Sequence, residues 1–458
     1  MQTQLQAISP IDGRYKSQVI ELQKYFSEYA LMESRLTIEI EWLKTLLNIE
    51  EIQQLVGAKS LSQKAVDFLN NIIDKFDISD AEYIKALENT IKHDVKSVEY
   101  FIKEKISKNE ELKQYREYVH FACTSDDINN LAYALMIKSA KETCIIPAIE
   151  NLLEILISLA IRYKDIAMLS RTHGQPATPT TVGKEFANIA SRLKSQKNQL
   201  SIVPIMGKFN GTVGNFSAHY IAFPDINWIK VCQNFVEGLG LKWNLFTTQI
   251  EPHDYIAEIC HALIRCNNII IDLNKDIWGY ITLSYFVQKP NKTEVGSSIM
   301  PHKINPIDFE NAEGNLGIAN ALLDHFANKL PISRWQRDLS DSTVLRNLGV
   351  GFAHALIAFK YTVNGLKKIE INENFLLQDL NTHWEILAEA IQTVMRSHGI
   401  ENSYEKLKSL TRGKALTKEL ILEFINELKI PANVKKRLIE LTPSKYIGKS
   451  SDLTESIS

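Results

Sequence analysis

Two stretches of the chain decide the fold class: NLLEILISLAIRY at 151–163 and CNNIIIDLNKDIWGYITLSYF at 266–286. Drawn as helices, both are apolar over wide arcs of their surface. A helix that is apolar nearly all round is buried among other helices. We therefore expect a bundle whose members also face other subunits. Helices of about 25–35 residues are expected there, and at about 1.5 Å per residue they span about 40–50 Å.

The placement of proline also favours long helices. The 458 residues include 13 Pro and 19 Gly, yet no proline occurs between Pro10 and Pro147 or between Pro331 and Pro431. Proline inside a helix removes a backbone hydrogen bond and clashes with the preceding turn. Leu, Ile, Lys, Glu, Ala and Asn dominate these stretches, and alternating β-branched runs are few. The sequence predicts an all-α protein.

Changes in the helical pattern divide the chain into three predicted helical domains. Residues 1–112 read as short helices, residues 113–365 as the long bundle, and residues 366–458 as short amphipathic helices, one of which stops at Gly399. In the first domain, EYALMESRLTIEIEWLKTLL at 28–47 is expected to bury one face, which carries Leu31, Leu36, Ile38, Trp42 and Leu46.

The composition bounds the class of protein. Hydrophobic residues make up 45% of the chain, and 52 Lys and Arg nearly cancel 54 Asp and Glu, for a formal net charge of -2. No global field attracts nucleic acid or an anionic membrane, so any anionic ligand must be held locally. The N-terminus lacks a signal-peptide pattern, and no window approaches about 18 uncharged apolar residues. The five cysteines form no CxxC pair, so we expect a cytoplasmic protein without a disulfide framework.

Neither a metal nor a cofactor is expected. The chain has no HExxH, no pairs of Cys or His ligands and no EF-hand pattern. The glycine-rich segment 207–214 fits neither the P-loop nor the dinucleotide-binding fingerprint, so it is interpreted as a turn between helices. Cys123 has no evident activating neighbour and is interpreted as a packing residue.

Three polar segments interrupt the apolar helices: HFACTSDDINN at 120–130, SRTHGQPATPTTVGKE at 170–185 and KPNKTEVGSSIMPHKINPIDFEN at 289–311. Each places hydroxyl, His, Lys or Asn side chains where packing alone would not. Segments far apart in sequence can meet at the ends of a bundle, so we expect them to form a site together. GSSIMPHKINP, at 296–306, suits neither a helix interior nor a strand and predicts a loop that enters a helix.

These segments resemble a known family. GSSIMPHKINP resembles the signature of the fumarase/aspartase superfamily, and RTHGQPATPT at 171–180 resembles the Thr-His segment of its adenylosuccinate lyase family. TSDDIN at 124–129 is similar to the remaining shared segment. Four further matches extend the resemblance over essentially the whole chain, nearest to the long bacterial branch: SPIDGRY at 9–15, HDVK at 93–96, QIEPHD at 249–254 and RWQRD at 334–338.

The resemblance implies cleavage of a carbon–nitrogen bond. Adenylosuccinate gives AMP and fumarate, and the succinyl-aminoimidazole-carboxamide ribotide gives its carboxamide ribotide and fumarate. Such a β-elimination needs a base, stabilisation of a carbanion, and an acid for the departing nitrogen. By resemblance, Ser297 is the base and His173 the acid. The ammonium of Lys303 and the backbone N–H groups around Gly296 to Ser298 are expected to stabilise the alkoxide and the developing charge.

The resemblance also implies a set of substrate-binding residues. They are Arg14, Tyr15, Lys92, His93, Asp94, Thr124, Ser125, Gln249, Ser298, Lys303, Asn305, Asn311, Arg337, Ser342, Thr343, Val344, Leu345 and Arg346. The arginines suit a bidentate grip on phosphate, and Val344 and Leu345 are expected to act as backbone or walls. One departure concerns Lys92, because the family commonly has Asn or Arg before the His-Asp pair.

Members of the superfamily are homotetramers whose active sites take residues from three subunits, so the resemblance implies a tetrameric core and small succinyl-nucleotide substrates, without nucleic acid or membrane. One alternative is a sister lyase of the argininosuccinate lyase or fumarase type, disfavoured by Gly174 and His302. Another is a catalytically silent helical assembly, disfavoured by the intact Ser297, Lys303, Asn305 and His173. Among the other histidines, His120 is interpreted as structural, and His253 and His302 as lining the pocket without catalysing.

Overall fold

The computed structural model describes residues 4–55, 60–289, 300, 303–411 and 416–457, and it is 69% helical. The prediction of an all-α fold is confirmed. The described α-helices are α1 (Gln23–Phe26), α2 (Glu28–Leu47), α3 (Glu50–Leu55), α4 (Gln63–Asp74), α5 (Ile78–Ile91), α6 (Asp94–Ile106), α7 (Ser125–Ala140), α8 (Ile146–Arg162), α9 (Val182–Ile202), α10 (Ser217–Ala222), α11 (Trp228–Gly238), α12 (Asp254–Thr282), α13 (Ile307–Lys329), α14 (Ser340–Leu345), α15 (Leu348–Lys368), α16 (Glu373–Thr382), α17 (Ala388–Ser397), α18 (Ser403–Thr411), α19 (Lys418–Glu427), α20 (Ala432–Ile439) and α21 (Ser450–Glu455).

The expected long helices are present. Helix α12 has 29 residues, which corresponds to about 43 Å at the α-helical rise. Helices α7 and α8 are joined by a π-helical turn, Lys141–Ile145, into one helical stretch of 38 residues. Pro147 lies just beyond this turn. Since proline has no N–H for the carbonyl of the preceding turn, an irregular turn is expected next to it.

In the part of the chain that the structure describes, strands occur only as short two-stranded pairs. Strand β1 (Ala167–Met168) pairs with β4 (Thr180–Thr181), β2 (Arg171–Thr172) with β3 (Gln175–Pro176), β5 (Met206–Gly207) with β6 (Lys242–Trp243), and β7 (Phe286–Gln288) with β8 (Ile369–Ile371). All the pairs are antiparallel except β5 with β6. With two or three residues each, these strands fasten neighbouring segments and do not form a sheet layer.

The chain divides into two compact units. The first contains residues 1–149, 196–268 and 314–360, and the second contains 150–195, 269–313 and 361–458. The three domains predicted from the sequence pattern remain a prediction.

In the first unit, α2 is buried more widely than its sequence pattern predicts. Leu36, Ile38, Trp42 and Leu46 are fully buried, as expected of the predicted face, but so is Ile40. The single-face prediction for this helix is therefore too narrow. The neighbouring core joins residues of α2, α4, α5 and α6.

In the second unit, the C-terminal helices surround small apolar clusters. One of them joins Leu169, which follows β1, to Leu380 of α16 and to Ile386 and Leu387. Helix α17 ends at Ser397 and Gly399 follows with φ +68°, as the predicted helix stop requires.

Two helical stretches, Ser125–Arg162 and Ser340–Lys368, are long and apolar enough to cross a membrane by length and composition. Core helices of folded domains have the same composition. Leu131 and Leu356, one from each stretch, are almost completely buried.

Candidate active site

The predicted site residues fall into two groups, one in each unit. The first unit holds Arg14, Tyr15, Lys92, His93, Asp94, Thr124, Ser125, Gln249, Arg337, Ser342, Thr343, Val344, Leu345 and Arg346. The second holds His173, Lys303, Asn305 and Asn311. Ser297, Ser298 and His302 lie outside the described residues.

Asp94 connects two of the predicted segments. Its Oδ2 lies 2.7 Å from Nη2 of Arg35 and 3.2 Å from Nη2 of Arg346. Burial alone would raise the pKa of Asp94, but the charges of Arg35 and Arg346 lower it, so the carboxylate is ionised at neutral pH. Arg35 also donates from Nε to Asn129 Oδ1 over 2.8 Å. Asp94 therefore holds Arg346 beside the start of α6.

His93 lies at the same helix end. It is the N-cap residue of α6, and its Nδ1 accepts a hydrogen bond from the Lys96 N–H at 3.1 Å. Because Nδ1 is the acceptor, the neutral ring carries its proton on Nε2. Lys92 ends α5 in the left-handed region with φ +60° and is exposed. Both side chains are therefore accessible to a ligand.

The Thr124-Ser125 segment forms the N-terminus of α7. Thr124 and Asp127 form a capping box, in which the Asp127 carboxylate accepts the Thr124 N–H at 2.8 Å. The same carboxylate accepts the backbone N–H groups of Asn210 and Gly211 and lies 2.9 Å from Nζ of Lys208. Lys208 and Asp127 are both completely buried. A buried ion pair thus fastens the predicted Thr124-Ser125 segment to the glycine-rich turn.

Beneath Arg337 lies a buried charge cluster formed by Asp126, Glu251, His253 and Asp341. Nη1 of Arg337 is 3.2 Å from Asp126 Oδ1, and Nε2 of His253 is 3.6 Å from Asp341 Oδ2. Burial alone would lower the pKa of His253, but Asp341, Glu251 and Asp126 raise it. His253 is only 2% exposed, so it lies under the predicted site instead of lining its pocket.

This cluster links three predicted segments, because Asp126 follows Ser125, Asp341 precedes Ser342, and Glu251 and His253 follow Gln249. The backbone N–H of Gln249 donates to the Gln336 carbonyl at 3.3 Å, next to Arg337. Helix α14 carries Ser342 to Leu345, and Leu345 is buried, so it can reach a ligand only through its backbone.

A cavity of about 730 Å³ lies beside Arg346. Its lining includes Ile11 and Asp12 from the N-terminal segment, Lys24, and Gly349 and Val350 of α15. The volume falls in the range of ordinary small-molecule sites, which is about 300–1,000 Å³. The cavity also brings the segment that precedes Arg14 and Tyr15 next to Arg346.

In the second unit, His173 lies at the tip of a β-hairpin. Strands β2 and β3 flank His173 and Gly174, whose φ angles are +55° and +74°. Positive φ at both central residues is typical of a type I′ turn, and glycine suits the second position. A non-glycine residue in this region is uncommon and often marks a functional site. The imidazole is exposed at the tip.

The base of the hairpin is fastened on two sides. The Ala177 N–H donates to the Ser170 carbonyl at 2.8 Å. Nη2 of Arg171 donates to Oδ2 of Asp379 at 3.0 Å and to the Tyr285 hydroxyl at 3.3 Å, and that hydroxyl donates to Asp379. Burial and this last hydrogen bond raise the pKa of Tyr285 to about 12.

The described end of the third polar segment enters α13, as predicted for a loop that leads into a helix. The Lys303 N–H donates to the Met300 carbonyl at 3.0 Å, and Gln288 Nε2 donates to the Ile304 carbonyl at 2.9 Å. Lys303 is exposed, and Asn305 is half-buried just before α13 begins.

Other predicted roles can be compared with the structure. His120 lies with Nδ1 2.5 Å from Glu39 Oε1, which fits a structural residue. Segment 207–214 is a turn that begins with β5 and includes the left-handed Gly211 and Gly214. The five cysteines are free, and burial raises the pKa of Cys123, as expected of an unreactive thiol.

Sequence reasoning missed the buried charges. The sequence pattern indicates no role for Lys208, Asp127 and Asp341, although they fasten predicted site segments to one another. The nearest signal was the Asp126-Asp127 pair three residues after Cys123, which the capping-box pattern could have singled out.

Comparison with known proteins identifies the family. A family model described as lyase matches residues 13–319, and one described as adenylosuccinate lyase C-terminal matches residues 333–447. An adenylosuccinate lyase of Haemophilus influenzae is 53% identical over 454 residues, and one of Escherichia coli strain K12 is 51% identical over 453 residues. Each alignment covers 99% of both chains.

Solved structures share the fold at low identity. A fumarate lyase from Mesorhizobium sp. BNC1 matches with a TM-score of 0.76 and 17% identity, covering 96% of this chain and 97% of that one. The 3-carboxy-cis,cis-muconate lactonizing enzyme from Pseudomonas putida matches with a TM-score of 0.74 and 17% identity over 97% of each chain. The full-length relatives and the two family models together establish that this chain is a lyase of the adenylosuccinate lyase family.

Proposed function

We propose that the chain eliminates fumarate from adenylosuccinate to give AMP, and from the succinyl-aminoimidazole-carboxamide ribotide to give the carboxamide ribotide. The observation that carries this proposal is the identity of more than half of all aligned residues with adenylosuccinate lyases over 99% of both chains. The role belongs to purine nucleotide biosynthesis.

His173 is the general acid in this proposal and Ser297 the general base. Ser297 takes the proton from the carbon next to a carboxylate, and His173 protonates the nitrogen as the C–N bond breaks. An imidazole suits this role because its ordinary pKa, about 6.5, allows proton donation near neutral pH. The accessible position of His173 at a hairpin tip supports it. Lys303 stabilises the charge that develops on the substrate carboxylate.

The anionic groups of the substrate are held by local cations, because the chain as a whole carries a formal charge of -2. Arg14, Arg337 and Arg346 bind phosphate and carboxylate, and Tyr15, Ser342 and Thr343 add hydroxyl donors. Support comes from Asp126 and Asp94, which orient Arg337 and Arg346 while each arginine side chain stays partly exposed.

The remaining predicted contacts are proposed in neutral or supporting roles. Thr124, Ser125, Gln249, Ser298, Asn305 and Asn311 hydrogen-bond the succinyl carboxylates and the base. Lys92 and His93 contact an anionic group of the substrate, Asp94 orients Arg346, and Val344 and Leu345 contribute backbone or walls.

The proposal includes a cytoplasmic homotetramer with shared active sites, without cofactor, nucleic acid or membrane. Wide apolar arcs on the long helices support assembly, since such faces pack against other helices.

A substrate panel tests the function. The purified chain is incubated in turn with adenylosuccinate, argininosuccinate and malate, and fumarate release is followed for the first two and malate dehydration to fumarate for the third. Turnover of adenylosuccinate alone is expected. Preference for either other substrate would favour a sister lyase, and nucleotide binding in isothermal titration without any product would favour a silent assembly.

Ser297→Ala should lose turnover while retaining substrate binding, and equal loss of both would contradict the role of Ser297 as base.

A further inference from the structure

We propose that Asp379 of α16 is a positioning residue for the general acid, acting through Arg171 and Tyr285 on the hairpin that carries His173. The inference rests on the proposed function, because it concerns the placement of His173 for proton transfer. It assigns to the C-terminal helices a part in the chemistry that the sequence pattern did not indicate.

The hairpin is too small to fix its own tip. Strands β2 and β3 have two residues each, and the β1 and β4 pair closes the base with another two. An isolated hairpin is at best marginally stable in water. Its tip also contains a non-glycine residue with φ +55°, which must be held by the surroundings. A further anchor is therefore needed where the hairpin leaves the core.

Arg171 supplies that anchor two residues before His173. Its guanidinium donates to Asp379 and to the Tyr285 hydroxyl, and Tyr285 in turn donates to the same carboxylate oxygen. Tyr285 is only 1% exposed, so its ring is fixed by packing. The three groups form a closed triangle of hydrogen bonds between the hairpin, the residue before β7, and α16.

The other side of the carboxylate faces a second polar pair. Oδ1 of Asp379 is 3.6 Å from Nε2 of His383, whose Nδ1 lies 2.7 Å from Oε1 of Glu385. Oδ2 of Asp379 therefore accepts two hydrogen bonds while Oδ1 faces the His383 ring, which favours one direction of the carboxylate. The orientation of the Asp379 carboxylate determines where the Arg171 guanidinium binds. The orientation of the hairpin that carries Arg171 depends on this contact.

A merely structural role is the weaker account of this triangle. Leu169 and Leu380 already bury apolar surface between the hairpin base and α16. The Arg171 and Asp379 side chains are 28% and 17% exposed, and ion pairs that solvent can reach add little stability. Their geometry, by contrast, matters for catalysis, because a displacement of about 1 Å at a reacting group can cost about 100-fold in rate.

The test compares kcat and KM of the full-length enzyme for adenylosuccinate in Asp379→Asn, Arg171→Lys and Arg171→Gln. We expect Asp379→Asn to lower kcat about 10-fold to 100-fold with KM changed less than about 3-fold, because binding groups stay in place. Arg171→Lys, which keeps one charged donor, should retain more activity than Arg171→Gln. Asp452→Asn is the matched control, since it removes an exposed carboxylate that pairs with Lys449 at 2.6 Å in the same unit.

A second measurement separates positioning from folding. In a His173→Gln background, Asp379→Asn should cause little further loss, because the residue acts only through His173. Hydrogen exchange at the Ala177 amide should be faster in Asp379→Asn than in wild type. Unchanged kcat in Asp379→Asn, or full additivity with His173→Gln, overturns the inference and leaves the proposed function standing. Absence of turnover by the wild type overturns both.

Discussion

Replacing Lys208 by methionine removes the cation from the most deeply buried ion pair of the predicted site. Lys208 and Asp127 have no exposed side-chain surface, and Nζ lies 2.9 Å from the carboxylate. Methionine keeps most of the apolar stem, so the substitution leaves Asp127 charged and buried with only backbone N–H donors. Breaking a buried pair in this way costs about 3–5 kcal/mol of unfolding free energy.

The magnitude can be measured by urea and thermal unfolding. With an unfolding entropy of about 2.1 cal/mol/K per residue, the unfolding free energy of a cooperatively unfolding 458-residue chain falls by about 1 kcal/mol for each degree near Tm. Lys208→Met should therefore lower Tm by about 3–5 °C. All variants are compared at one protein concentration, since assembly adds to apparent stability. Lys108→Met is the control, because Lys108 pairs with Glu104 at the surface, where loss of a pair costs about 0.5 kcal/mol or less.

The double variant distinguishes an uncompensated charge from lost packing. Asp127→Asn removes the charge that Lys208→Met leaves unpaired, so the two changes together should cost clearly less than their sum. Strict additivity, or a loss below about 1 kcal/mol in Lys208→Met, would refute the reasoning.

Three further predictions concern other residues of the first unit. Gly214→Ala should lower the unfolding free energy by more than about 2 kcal/mol, because φ is +78° and the new Cβ would lie 2.3 Å from the Thr247 carbonyl oxygen. In the control Gly238→Ala the new Cβ meets nothing within 4 Å apart from its chain neighbours and its own helix, so this variant should be neutral or stabilising in urea unfolding. Burial lowers the pKa of His219 to about 4, so the unfolded chain binds the proton more readily than the folded one. The unfolding free energy should therefore fall by about 3 kcal/mol as pH drops from 6.5 through 4. His219→Phe should lose less unfolding free energy over this range, and an equal loss would contradict the assignment. Burial alone would lower the pKa of His253, but the carboxylates of Asp341, Glu251 and Asp126 together raise it above the ordinary value of 6.5. The charged ring therefore stabilises the fold below pH 6.5, and this stabilisation is lost as pH rises. His253→Gln should cost more stability at pH 6 than at pH 9, and the reverse order would contradict this assignment.

The sequence predicts the presence of long helices well where proline is absent and apolar residues recur, as in α12. It predicts burial less well, because a helix such as α2 is covered by several neighbours at once. Its pattern of Leu31, Leu36 and Trp42 indicates one buried face, whereas the structure buries Ile40 as well.

In the candidate site too, local features can be predicted from the sequence, whereas contacts between distant residues cannot. His173 could be singled out by its local sequence, and Gly174 signals a turn, but the left-handed backbone of His173 itself depends on the hairpin. The cluster of Asp126, His253 and Asp341 joins residues more than 80 positions apart, and no local pattern reports such a contact. The anchor of Arg171 on Asp379 escapes local reading for the same reason.

The central claim is that this chain eliminates fumarate with Ser297 as base and His173 as acid, and a crystal structure of the Ser297→Ala variant with adenylosuccinate bound tests it most directly. The account predicts a ring nitrogen of His173 within about 2.6–3.2 Å of the nitrogen in the scissile bond, directly or through one water, and position 297 on the opposite side, facing the carbon that loses its proton. Finding His173 remote from the leaving nitrogen, or position 297 away from that carbon, would contradict it.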